Sequence, residues 1–304
     1  MNTLVQVLVN AIALGSLYAL VALAIGLVFG VMRLINFAQA NYITVGAYAL
    51  VVPSASIAPA LLLGALPPAF MIAGVLAVVV VLALLTERIA FRPLRNSSPS
   101  TLLISSFAVS YFIQNLIMLI HTGRPKSVGI GQSLSNAVEI GGIQIAGVQL
   151  VTMIVAAGLL IALVLFLKKT PLGIQMRAAA ENFEMARLLG MSADRVIAIA
   201  FGISGLLGGA VSLLLTIQTG TLDLRMGLMP VVYAFFATVI GGMGSLPGAA
   251  LGGFLVGVAS VLLQTYLPID LRPFRDAGVF ALVILILLVR PQGLIVTGAA
   301  KERI

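Results

Sequence analysis

The run MNTLVQVLVNAIALGSLYALVALAIGLVFGVM, Met1 to Met32, carries no charged side chain over its whole length. A helix needs about 20 apolar residues to cross the hydrocarbon core of a bilayer, so this stretch is long enough to span. It is too long for the core of a secretory signal and lacks the basic residues that precede one, so it reads as a retained first helix. The rest of the chain is of the same kind. Of its 304 residues 61% are apolar and 9% charged, against roughly 45–50% and 25% in a soluble domain. That composition leaves no room for a separate soluble enzyme domain. It predicts an all-α polytopic integral membrane protein, a single transmembrane domain over 1–304 with about 8–10 segments, one or two of them broken or re-entrant.

Outward from the first helix, spans read at Leu61–Leu85, Thr101–Ile120, Ile143–Leu167, Val196–Ile217, Ala249–Leu267 and Ala277–Val289. Two stretches are shorter or interrupted: Tyr42–Val52, stopped by Pro53, and Leu228–Gly242, which contains Pro230 and runs into Gly241-Gly242-Met243-Gly244. Each reads either as a full span or as a broken one. Basic residues collect in three places: Arg88, Arg92 and Arg95; Lys168, Lys169, Arg177, Arg187 and Arg195; and Arg290, Lys301 and Arg303. By the positive-inside rule all three are expected in the cytoplasm, with the N-terminus outside if Tyr42–Val52 crosses. The same rule accounts for the net charge of +8 without a nucleic-acid partner. The absence of cysteine excludes disulfides, thiolate metal sites and cysteine nucleophiles.

The longest internal polar stretch, Lys168 to Ser192, is expected to leave the membrane as a short surface helix. Pro171 and Gly173 end the preceding span, and Ala178, Ala179 and Ala180 followed by Glu, Met, Arg and Leu favour helix. Glu184 and Arg187 stand at the i, i+3 spacing of a weak ion pair, Gly190 suits the position after a helix end, and Ser192 suits the cap of the next helix. The stretch is either an ordinary amphipathic connector or a docking element that takes force from a cytoplasmic partner.

Arg177-Ala178-Ala179-Ala180-Glu181-Asn182 followed by Ala186-Arg187-Leu188-Leu189-Gly190 resembles the cytoplasmic loop of permease subunits of branched-chain amino-acid ABC importers. Three other runs match in order: Ile35-Asn36-Phe37-Ala38, Gly241-Gly242-Met243-Gly244-Ser245-Leu246-Pro247-Gly248-Ala249, and Arg290-Pro291-Gln292-Gly293-Leu294. The resemblance covers essentially the whole chain and is nearest to the shorter of the two permease types that pair. It implies a permease domain with a coupling loop at about 168–195. Arg177, Ala180, Glu181, Asn182, Ala186, Arg187 and Gly190 would then dock into the ATPase. Implied partners are a second homologous permease, two cytoplasmic ATPase subunits holding ATP and Mg, a soluble substrate-binding protein and the lipid bilayer of the bacterial inner membrane. In many members the Asn-Phe-Ala run continues with a histidine, a glycine and an acid, whereas here it continues Gln39-Ala40-Asn41-Tyr42. The departure removes an ionisable pair and bears on the substrate.

The residues themselves exclude other chemistries. No Gly-Lys pair is present to build a phosphate-binding loop, so ATP would be hydrolysed on another polypeptide and no cofactor is expected on this chain. No catalytic or metal motif is present, and the single histidine, His121, is expected to be a solvated interfacial group. Ion-coupled carriers need intramembrane acids, and here the acids fall in loops or at helix ends. Gly244, Gly248 and Gly252, with Gly253 and Gly257, recur on one helix face and predict close helix packing, with a share in gating or in a partner contact as the alternative. Paired Gly/Pro-broken segments point to a transport route, so Asn36, Gln39, Asn41, Tyr42, Gly241, Gly242 and Gly244 are pathway candidates near the cytoplasmic side. The other reading of these amides is as hydrogen bonds between helices. Asp223, Arg225, Asp270, Arg272 and Arg275 are candidates for contacting the binding protein. The importer is expected to carry leucine, isoleucine or valine. The alternatives are the same class carrying urea, amides or aromatic acids, or a stand-alone channel or facilitator for a small polar solute.

Overall fold

The structure is a computed structural model describing residues 2–95, 97–131, 137–140, 143–291 and 293–295. Among these, six helical stretches are long and apolar enough to cross a membrane. They are α1 (Asn2–Met32), α3 (Pro68–Thr86, continued by a wide turn over Glu87–Phe91), α4 (Pro99–His121), α5 (Gly147–Lys169), α8 (Ala193–Thr219) and α10 (Leu246–Tyr266). Three shorter helices, α2 (Gln39–Tyr48), α9 (Leu228–Gly241) and α11 (Arg275–Val289), complete the bundle. Two more, α6 (Pro171–Glu181) and α7 (Phe183–Leu188), lie between α5 and α8. Strands are minor: β1 (Lys126–Ser127) pairs with β4 (Thr221–Leu222), and β2 (Ala137–Ile140) with β3 (Ile143–Ala146), both antiparallel.

Successive helices run between two ends of the bundle. One end gathers Arg33, Arg88, Arg92, Arg95, Lys168, Lys169, Arg177, Arg187, Arg195 and Arg290, and is called the basic end below; Lys301 and Arg303 lie outside the described residues. The two halves of the chain repeat one packing scheme in opposite directions. The α1 helix lies against α10, and α8 lies against α3; α2 packs on α8, and α9 packs on α1. The close pairs are made by glycine. A Cβ at Gly253 would sit 2.6 Å from Ala19 Cα, and one at Gly257 would sit 2.4 Å from Gly15 Cα. On the other pair, a Cβ at Gly205 would lie 2.8 Å from Ala83 Cβ. In lipid, where apolar burial no longer drives helices together, such backbone proximity supplies the van der Waals and Cα–H contacts that do. Gly248, Gly252, Gly253 and Gly257 of the stripe are therefore packing positions, whereas Gly244, expected on the same face, precedes α10 at φ 92° with nothing within 4 Å of its Cβ position.

Several boundaries move for physical reasons. The span expected from Leu61 begins at Pro68, because Leu61 bridges to Val51 and Leu63–Ala65 forms a single tight turn; proline then starts the helix, where its missing N–H costs nothing. The span expected from Ile143 begins at Gly147, since Ile143–Ala146 is committed to the hairpin. Pro230 does not interrupt α9: it sits in the first turn, where no intrahelical donor is lost. Pro247 likewise starts α10. The real breaks are 33–38, before α2, and 220–227, before α9.

Candidate functional site

The expected surface helix between α5 and α8 is two helices. At Asn182 the backbone turns extended (φ −148°, ψ 102°) and the side chain caps α7 by accepting from the Met185 N–H at 3.0 Å. This local bond competes with helix continuation, which is why asparagine breaks a helix that alanines favour. Gly190 ends α7 in the left-handed conformation (φ 89°), with the Met191 N–H closing back on the Ala186 carbonyl at 3.1 Å. Ser192 stands at the start of α8 but its side chain makes no capping bond. Among the described residues Glu184 and Arg187 form no ion pair.

Exposure sorts the coupling candidates. Arg177, Glu181, Asn182, Arg187 and Gly190 are exposed and Ala180 is half-buried. Ala186 is 5% exposed and faces its own chain, so it is an internal contact and not the docking surface its small size suggested. The residues that sequence reasoning passed over are Leu188 and Leu189, 81% and 83% exposed at the tip of the turn. Nothing local marks them, because leucines closing a helix are ordinarily buried.

The turn is anchored by charges. Asp194, in the first turn of α8, is paired with both Arg92 and Arg95, and Arg95 also holds Glu87. This network ties the end of α3 to the start of α8. Behind it, α1, α5, α6 and α10 enclose a cavity of about 1000 Å³ that Arg177, Ala180, Glu181 and Gly244 help to line.

Of the other pathway candidates, Asn36, Gln39, Asn41 and Tyr42 are buried to 5% exposure or less. Gln39 Nε2 donates to the Ser204 carbonyl at 3.1 Å, and the Ser204 hydroxyl lies 2.9 Å from both Gln39 Oε1 and the Ala24 carbonyl. Ser204 is well inside α8, about 17 Å from its start at 1.5 Å per residue, so Gln39 sits near mid-depth. That corrects its expected place near the cytoplasmic side: the irregular segment 33–38 carries the chain inward before α2 begins. Asn36 Oδ1 accepts the Ala38 N–H at 3.1 Å, satisfying backbone that the break leaves without helix partners. Asn41 Nδ2 donates to the carbonyl and the hydroxyl of Ser110 at 2.9 and 2.6 Å, and Phe37 stacks on Phe107 with ring centres 4.3 Å apart. Both contacts set the position of α4. Gly241 meets Gly248 backbone to backbone, and Gly242 is held at φ 101°; the Leu294 and Ile295 N–H groups cap the Ile240 and Gly241 carbonyls at 2.7 and 3.1 Å. The Arg290-Pro291-Gln292-Gly293-Leu294 run thus serves as a cap for α9, with Gln292 outside the described residues.

The exposed side of α4 is mainly apolar, with Ile104, Phe112 and Leu119 at 66%, 67% and 83% exposure, but it carries a polar pair, Asn115 donating to the Tyr111 carbonyl at 2.8 Å. Tyr111 is 71% exposed, Asn115 is exposed, and Ser110 and Gln114 are half-buried beside them. At the end opposite the basic one, Arg225, Asp270 and Arg272 are exposed, while Asp223 is half-buried and accepts the Arg225 N–H at 2.7 Å. Arg275 is not free: it pairs with Asp276 at 2.9 Å and donates to Gln264 at 2.8 Å. His121, expected to be solvated, is buried and meets Tyr48 edge-on with ring centres 4.9 Å apart. Lys126 is buried too, donating to the Ser54 and Ser56 carbonyls at 2.5 and 2.8 Å, and burial pushes its ammonium below the usual lysine range.

A family model described as branched-chain amino acid transport system, permease component, matches residues 7–289. The chain is similar to the high-affinity branched-chain amino acid transport system permease protein LivH of Salmonella typhimurium, 35% identical and covering 95% of this chain and 94% of that protein. It is similar to BraD of Pseudomonas aeruginosa, with a name of the same form, at 33% identity over 95% of each chain. A probable branched-chain amino acid permease LivH of Methanocaldococcus jannaschii is 28% identical over 98% of this chain and 94% of that protein. Among solved structures, a chain of PsaBC from Streptococcus pneumoniae in complex with Fab is 14% identical, with a TM-score of 0.50 over 94% of this chain and 92% of that one. It shares the fold.

Proposed function

The chain belongs to the branched-chain amino acid ABC permease family, and we propose that it moves leucine, isoleucine or valine from a soluble binding protein into the cytoplasm. It is a multi-pass membrane protein of the permease class, with ATP hydrolysis on separate subunits. The observation that carries the substrate class is the 35% identity to LivH of Salmonella typhimurium along nearly the whole of both chains.

The geometry supports a surface for each of the other subunits. The basic end faces the cytoplasm by the positive-inside rule, which puts the Leu188–Leu189 tip where an ATPase can take it. Two leucines exposed to water beside Arg187 are an apolar centre with a polar edge, the layout of a protein interface. The polar pair on the otherwise apolar exposed side of α4 supports a second permease: Tyr111 and Asn115 facing lipid would be unfavourable, whereas against a partner they are covered or line a wet route between the two chains. Arg225, Asp270 and Arg272, at the opposite end, then face the binding protein.

The test is uptake into liposomes holding this chain with its neighbouring permease, ATPases and binding protein. ATP-dependent uptake of leucine, isoleucine or valine is the expected result. Uptake of urea, short amides or aromatic acids alone would move the substrate class within the same importer type. Uptake by this chain without ATP would replace the importer by a facilitator.

A further inference from the structure

At the basic end α5 stands off the α1–α10 pair, whose two helices stay in contact there at Gly26 and Ala249. The cavity of about 1000 Å³ between them has apolar walls, with Leu27, Leu163 and Leu246 among them, and Arg33, Lys168 and Arg177 at its mouth. A second cavity of about 400 Å³, reaching Ser16 and Phe254, shares Leu23, Leu160 and Ala250 with the first. The two are one groove. Along α1 it runs from Ser16 to Arg33, about 25 Å at 1.5 Å per residue. The hydrocarbon and headgroup layers of one leaflet together come to about 20 Å.

The three cations are exposed, and among the described residues none of them is in an ion pair. Glu181 is the one acid lining the groove. Arg33 is held at φ 53°, a left-handed conformation that bulky side chains rarely adopt, so a cation is kept at the mouth against the local backbone preference. A single amino acid would leave most of this volume empty and its apolar arm unfilled. We infer that the groove binds one anionic phospholipid, its acyl chain along α1, α5 and α10 and its phosphate among Arg33, Lys168 and Arg177. An apolar slot of leaflet depth that ends in unpaired cations matches that chemistry and no smaller anion. The inference needs only that the chain lies in a membrane, and is independent of what is transported.

The purified complex containing the full chain is delipidated in neutral detergent and titrated with phosphatidylglycerol or with phosphatidylcholine of the same chains. Bound lipid is counted by native mass spectrometry. Phosphatidylglycerol is expected to bind about tenfold more tightly, and Lys168→Gln and Arg177→Gln each to weaken it about fivefold while leaving phosphatidylcholine unchanged. Lys169→Gln, one residue further and outside the groove, leaves both lipids as they were. Val164→Trp, which narrows the apolar wall, weakens both. Equal binding of the two lipids, an equal loss in Lys169→Gln, no effect of Val164→Trp, or displacement of the lipid by inorganic phosphate alone would overturn the assignment.

Discussion

Replacing Leu188 and Leu189 together by serine tests whether the α6–α7 turn carries the coupling contact. Both are more than four-fifths exposed in the isolated chain, so their apolar surface is free to be buried by a partner. Full burial of a leucine contributes roughly 2 kcal/mol. With about 80% of each side chain available, the pair would contribute ~3 kcal/mol, or about 150-fold in the ATPase dissociation constant. The fold of the permease itself is expected to change little, since exposed substitutions usually stay within about 0.5 kcal/mol. Ala186 is the contrasting site. At 5% exposure a lysine there would disrupt α7 itself and say nothing about docking. The assay pairs thermal unfolding of the purified chain in detergent with ATPase binding to immobilised permease. An unchanged melting point with at least tenfold weaker binding is expected. Weakening of less than threefold in a normally folded double variant would refute the assignment of the tip as the anchor.

Gly257→Val is expected to cost about 2–4 kcal/mol of stability, because its Cβ position lies 2.4 Å from Gly15 Cα and neither backbone can yield; Gly158→Val, with nothing within 4 Å of its Cβ, is expected to leave the thermal midpoint unchanged. Gln39→Leu removes two inter-helix bonds at mid-depth and is expected to lower stability by about 1–2 kcal/mol and, because those bonds tie α2 to α8, to lower uptake per folded molecule as well. Asn41→Leu releases α4 from Ser110 and is expected to lower uptake severalfold, read in the same liposome assay; unaltered uptake would separate Asn41 from the exposed side of α4.

The long helices were legible because a span is a local property. A window without charges decides it, and α8 and α10 begin and end within a few residues of where hydropathy places them. The short helices were not. Gln39 is fixed by Ser204, 165 residues away, and Asn41 by Ser110, 69 residues away, so neither the depth of α2 nor its start is written in its own neighbourhood. Proline misled for a related reason. Whether it breaks a helix depends on its place in the first turn, and Pro230 and Pro247 stand at helix starts that the sequence shows only once Gly227 and Ser245 are known to precede them. The stretch between α5 and α8 was legible as a surface element but not as two helices, and it was misread at Ala186, whose burial depends on tertiary neighbours that composition does not name. The polar pair on α4 escaped because hydropathy averages over a window, and Tyr111 and Asn115 are diluted by the apolar residues exposed around them.

These long-range contacts join the basic end to the exposed side of α4 without a gap. The turn that presents Leu188 and Leu189 runs directly into α8, whose start is held by Asp194 to Arg92 and Arg95. Within α8, Ser204 holds Gln39; on α2, two residues further on, Asn41 holds Ser110 of α4. Gly208 lets α2 and α8 approach so closely that a Cβ there would lie 2.9 Å from Gln39 Nε2. A helix is stiff along its axis, so a displacement of α8 at its start must either carry Gln39 with it or break both bonds to Ser204. In the low-dielectric interior, leaving that amide unpaired costs about 1–3 kcal/mol. Moving α2 with α8 avoids that cost, and α2 cannot move without drawing on Asn41 and the position of α4. The buried amides expected to line a route thus also fix the helix that carries Tyr111 and Asn115 on its exposed side.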